Sequence, residues 1–85
     1  MTQRDIVLKS GSSFSAFVAA EFIHKASSFK SSVWVEKEEK KASAKSLLGV
    51  LALEITENDK VSVIADGVDE SVAVKELVDY LILNV

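Results

Sequence analysis

The sequence predicts an α+β domain, an open-faced sandwich in which a four-stranded antiparallel sheet is covered on one face by three helices, in the order β-α-β-β-α-β-α. Three observations predict it. Four short runs rich in β-branched and aromatic residues alternate with stretches that carry helical spacing. Clusters of Ser, Gly, Asp and Asn separate them. The length, 85 residues, leaves room for one compact domain, residues 1–85, and no second one.

Ile6-Val7-Leu8, bounded by charge, reads as the first strand, and Ser10-Gly11-Ser12-Ser13 follows as a cluster of turn and cap residues. From Phe14 the spacing changes. Ala19, Phe22, Ile23 and Ala26 fall on one helical face, with Ser12, Ser13 or Ser15 placed to cap the helix, Ser27-Ser28 to end it and Phe29 packing below. Ser32-Val33-Trp34-Val35-Glu36 has the composition of a second strand. Glu38-Glu39-Lys40 makes a polar turn, and Lys41 to Ala44 returns as a short third strand. Ser46 is the expected N-cap of a short helix through Leu47-Leu48-Gly49-Val50-Leu51-Ala52-Leu53, which Gly49 weakens by ~1 kcal/mol relative to alanine. After a turn at Glu57-Asn58-Asp59, Lys60 to Ala65 forms the fourth strand. Asp66-Gly67 turns the chain into the last helix. There Asp69 is the expected N-cap, Glu70 complements the dipole, and Val74, Leu77, Val78, Leu81 and Val85 repeat at helical spacing.

Composition narrows the chemistry. With 48% hydrophobic and 27% charged residues the chain reads as globular, not disordered. Thirteen acids against ten bases give a net charge of −3, which argues against direct binding to nucleic acid. No cysteine is present, so disulfides, thiolate metal sites and cysteine nucleophiles are excluded together. A single histidine excludes a multi-histidine metal site, and no cofactor or metal is expected. Proline is also absent. The start, Met1-Thr2-Gln3-Arg4-Asp5, has an acid where a signal peptide needs an apolar stretch, and Leu47 to Leu53 falls short of the ~20 residues that span a bilayer. The expectation is a cytoplasmic protein with no membrane contact.

Few residues invite chemistry. A hydrolase built on His24 would need a nucleophile, an orienting group and an oxyanion hole, and only Ser28 and Glu21 lie near it along the helix. A surface histidine is the stronger reading. The carboxylates Glu38/Glu39 and Asp69/Glu70 are accounted for by solvation and the helix dipole. Three glycines scattered at positions 11, 49 and 67 make no phosphate-binding loop. Lys37, Lys40, Lys41 and Lys45 are interleaved with Glu36, Glu38 and Glu39 and read as a solvated face. Ser46 stands apart. Beyond its role as a cap, a phosphate there would meet free amides and the positive dipole end, beside leucines at 47, 48 and 51.

Ala42-Ser43-Ala44-Lys45-Ser46-Leu47-Leu48-Gly49-Val50 resembles the segment around the regulatory serine of HPr, the phosphocarrier family of the bacterial sugar phosphotransferase system. Ala19-Ala20-Glu21-Phe22 resembles the family's first helix. Gly67-Val68-Asp69-Glu70, with Ala73-Val74 and Leu77-Val78, resembles its last strand-to-helix junction. The resemblance covers essentially the whole chain and implies an HPr-like fold.

One departure bears on function. The family's phosphocarrier motif, Gly-x-His-x-Arg-Pro-Ala-Ala, is read here as Ser13-Phe14-Ser15-Ala16-Phe17-Val18-Ala19-Ala20. Ser15 replaces the phosphoryl-accepting histidine, Phe17 the arginine and Val18 the proline. A neutral imidazole is nucleophilic near neutral pH and forms a transferable phosphoramidate, whereas a serine hydroxyl makes a stable ester and needs a base. His24 does not substitute, lying nine residues on, ~13 Å by helical rise. Loss of the histidine with retention of the serine resembles the Crh type within the family. That resemblance implies no catalytic residue and a regulatory phosphoprotein of carbon catabolite control. Ser46 would be phosphorylated by HPr kinase/phosphorylase, and the product would dock on a LacI-type catabolite control protein. Leu47, Leu48 and Leu51 would form the partner patch, widened by Phe14 and Phe17, and a homodimer is a further expectation. The alternatives are a diverged phosphocarrier and an unphosphorylated adaptor that binds through the apolar patch.

Overall fold

Seven elements form in the expected order in the computed structural model, which describes every residue, Met1–Val85. They are β1 (Thr2–Val7), α1 (Ala16–Ser27), β2 (Ser32–Lys37), β3 (Lys40–Ser43), α2 (Leu47–Ala52), β4 (Lys60–Asp66) and α3 (Glu70–Asn84). The strands make one antiparallel sheet in the order β1-β4-β2-β3. Chain order and sheet order differ because β4 inserts between β1 and β2, pairing Val63 with Arg4 on one side and with Val35 on the other.

Strand alternation sorts the sheet into two faces. Val33 and Val35 of β2 and Val61, Val63 and Ala65 of β4 are buried on the helix-covered face. Against them pack Phe22 and Ala26 of α1 and Ala73, Val74, Leu77, Val78 and Leu81 of α3. Ala19 and Val50 are buried as well, on α1 and α2. The opposite face carries no helix. Its one buried apolar residue is Ile64, paired in register with Trp34, over whose ring the Lys41 ammonium sits at 4.9 Å.

Element boundaries depart from the apolar pattern at the ends of three strands. β1 begins at Thr2 and not at Ile6, and Leu8 lies beyond it, although buried. The polar start of β1 is held by pairing, Thr2 opposite Ala65 through Val7 opposite Lys60, so the ladder and not side-chain hydrophobicity defines it. β3 runs Lys40–Ser43 and leaves Ala44 outside, while β4 extends to Asp66, opposite Ser32. The β2–β3 turn is tight. Glu38 and Glu39 both take left-handed backbone, φ 51° and 67°, as a two-residue hairpin with a twisted ladder demands.

Candidate functional site

The starts of α1 and α2 are built alike. Each is preceded by a serine in extended backbone whose hydroxyl faces the first turn. The Val18 N–H donates to Ser15 Oγ at 3.2 Å, and the Gly49 N–H donates to Ser46 Oγ at 3.2 Å. Of the three serines offered as caps for α1, Ser15 is the one used. Both cap residues are exposed, and α1 packs against α2.

Around these starts the five apolar side chains of the expected patch divide. Phe17 and Leu48 are 64% and 81% exposed, and Leu47 is partly so at 41%. Leu51 is half-buried. Phe14 turns inward and packs against the core. The reason is position: Phe14 precedes the cap in the connection that lies over the core, whereas Phe17 sits in the first helical turn on the side away from Ala19 and Phe22. The outward apolar surface is therefore Phe17, Leu47 and Leu48.

The charged residues are not uniformly solvated. The Lys37 side chain is only 13% exposed, donating to the Glu54 carbonyl at 2.7 Å and pairing with Asp59 at 2.8 Å. The pair raises the Lys37 ammonium above its usual range and holds the Asp59 carboxyl below its own. Lys45 donates to the Phe29 carbonyl at 3.3 Å, tying the approach to α2 to the end of α1. His24 is exposed and makes no hydrogen bond to any serine. It borders a shallow groove with Glu21, Lys25, Ser28 and Tyr80, where burial first, and then Glu21, raises the Tyr80 hydroxyl.

At the start of α3 the expected cap is absent. Asp69 occupies the N-cap position, but its carboxylate accepts no bond from its own helix. It accepts instead from the Lys30 N–H at 2.9 Å, the Ser31 N–H at 3.0 Å and the Ser31 hydroxyl. These donors, the Ser31 hydroxyl foremost, hold the Asp69 carboxyl below the usual carboxylate range. Glu70 accepts from the N-terminal ammonium at 2.9 Å, the Thr2 hydroxyl at 2.6 Å and the Gly67 N–H at 3.2 Å, which lower its carboxyl to about 2. Local spacing did not reveal these long-range latches. The signal available was Gly67, whose φ of 156° requires glycine and whose missing side chain admits Ser31.

A four-stranded antiparallel sheet with three helices, in the order β-α-β-β-α-β-α, is the fold that the resemblance implied. A family model described as the PTS HPr component phosphorylation site matches residues 2–82. The chain belongs to the HPr family. Among known members, this HPr-family chain is 35% identical over 81 residues to the HPr-like protein Crh of Bacillus subtilis, with 95% of each chain covered. The HPr-C-His structure from Thermoanaerobacter tengcongensis superposes with a TM-score of 0.88 at 40% identity, over 95% of this chain and 91% of that one. A crystal structure of Crh from Bacillus subtilis, the catabolite repression protein, shows a domain-swapped dimer. It matches at 34% identity and a TM-score of 0.78, over 100% of this chain and 98% of that one. Within this family member Ser15 and Ser46, the two serines that the sequence reading singled out, are the caps of α1 and α2.

Proposed function

We propose that this HPr-family chain is a regulatory phosphoprotein switched at Ser46, with no catalysis of its own and no role as a histidine phosphocarrier. The observation that carries this reading is the pair of caps. Ser46 is an exposed hydroxyl at a helix start, and Ser15, with Phe17 beside it, replaces the histidine and arginine that phosphotransfer requires.

In the proposed reaction the Ser46 Oγ attacks the γ-phosphorus of ATP. The bond to the β-phosphate bridging oxygen breaks, ADP leaves, and the hydroxyl proton passes to a base of the kinase. The ester places a dianion among first-turn amides and beside Leu47 and Leu48, so charge and apolar surface are presented together. By family resemblance the kinase is HPr kinase/phosphorylase, the phosphorylated form docks on a LacI-type catabolite control protein, and the setting is the cytoplasm. A homodimer is part of the reading, supported by the swapped dimer of Bacillus subtilis Crh. The exposure of Phe17 and Leu48 favours one second reading, an adaptor that binds through that surface without phosphorylation.

Incubation with HPr kinase/phosphorylase and ATP, followed by mass spectrometry, tests the choice. One added phosphoryl group located at Ser46 supports the switch. An unmodified protein that still captures a partner through Phe17 supports the adaptor.

A further inference from the structure

We infer that Gly49 is a specificity-determining residue of the Ser46 site: the absence of a side chain at position 49 leaves the room that a phosphoryl group on the Ser46 hydroxyl needs. The inference rests on the reading of Ser46 as a phosphorylation site and adds a residue to it.

Glycine is the poorest helix former after proline, and Gly49 lies within a helix of only six residues. Its backbone does not ask for glycine, because the left-handed glycines of this chain are Gly11 and Gly67. Its neighbours explain it better. A Cβ at position 49 would lie 3.3 Å from Ser46 Oγ and 3.5 Å from Ser46 Cβ, with Ala42 Cβ at 3.4 Å. A free hydroxyl accommodates such a neighbour by shifting a few tenths of an ångström. An ester oxygen at the same place also carries a phosphorus and three more oxygens. The N–H that this oxygen accepts from belongs to Gly49 itself, so a methyl group there crowds the phosphoryl group and strips water from it.

The contact with Ala42 offers a competing cause, close packing of α2 on β3, and the experiment separates the two. Phosphoserine is installed at position 46 during translation by nonsense suppression, in the wild-type chain, in Gly49→Ala and in Gly49→Ala/Ala42→Gly. Thermal unfolding is compared with and without the phosphate, and the second phosphate pKa is read by ³¹P NMR. The expected result is a Tm for unmodified Gly49→Ala at or above that of the wild type. Phosphoserine then lowers the Tm of Gly49→Ala by several degrees more than it lowers that of the wild type, the penalty persists in the double variant, and the phosphate pKa rises in both variants. An equal Tm change in all three backgrounds overturns the inference. So does a penalty removed by Ala42→Gly, or a Gly49→Ala chain that fails to fold unmodified, since the space is then needed for packing alone. Because the phosphate is installed without a kinase, these outcomes are independent of kinase labelling, which tests the reading of Ser46.

Discussion

The carboxylate of Asp69, at the start of α3, holds Ser31 through both its backbone N–H, at 3.0 Å, and its hydroxyl, fixing the α1–β2 turn against the β4–α3 turn. Ser31 is buried, so this is the partner its hydroxyl has. Ser31→Ala removes that bond and is expected to destabilise the fold by about 1 kcal/mol in chemical denaturation. The latch also sets an acid limit. Asp69, Asp59 and Glu70 all have carboxyl pKa values lowered by folding. Their stabilisation is therefore complete above the ordinary carboxylate range, ~4, and is lost as the pH falls through the lowered folded values, about 2 for Glu70. Denaturation midpoints should be flat from neutrality to about pH 5 and fall steeply below ~4. In Asp69→Asn the fall should be shallower.

Gly67 is the steric counterpart of that latch. A Cβ there would lie 2.6 Å from Ser31 Oγ and 2.7 Å from Ser31 Cα, on a backbone with φ 156°. Gly67→Ala should cost at least the about 1–3 kcal/mol of a strained residue and should abolish the protection of the Ser31 amide in hydrogen exchange.

Phosphotransfer should fail at the first helix. With Ser15 and Phe17 in place, incubation with phosphoenolpyruvate and enzyme I should leave no acid-labile phosphoryl group, as read by radiolabelling before and after acid treatment. Ser15→His should restore little, because Phe17 supplies no cationic partner and the substitution also removes the cap accepted from Val18. Its loss of stability should be ~0.5–2 kcal/mol.

Ser46→Ala should cost a similar ~0.5–2 kcal/mol, since α2 loses the bond from the Gly49 N–H. Ser46→Asp should keep the cap and hold stability near the wild-type value in denaturant titrations. It should imitate the phosphorylated form poorly in partner binding, carrying one charge where the phosphate carries nearly two.

Two phenylalanines three residues apart should behave oppositely. Phe17→Ser exposes nothing new and should change stability by less than about 0.5 kcal/mol, while weakening partner capture or self-association in sedimentation. Phe14→Ala removes a ring packed on the core and should cost about 1.5–3 kcal/mol.

The sequence by itself determined what depends on near neighbours along the chain. The Ala19–Phe22–Ala26 stripe, the serine caps and the Val-rich alternation of β2 and β4 each act within one or two turns or a few strand residues, where side-chain period and hydrogen-bonding chemistry are set by covalent spacing. The serine at position 15 was equally legible, because it concerns which atom is present. Tertiary structure alone decided the rest. Phe14 and Phe17 flank the same helix start, yet which one is buried depends on where the core lies beneath the loop. Asp69 stands where a cap belongs, but Ser31, 38 positions away, offers two donors in a buried turn and captures it. Lys37 reads as one of a solvated charge run and is instead drawn in by Asp59 and the Glu54 carbonyl. In each case the competing partner is remote in sequence, and its pull exists only after the sheet has brought β4 between β1 and β2.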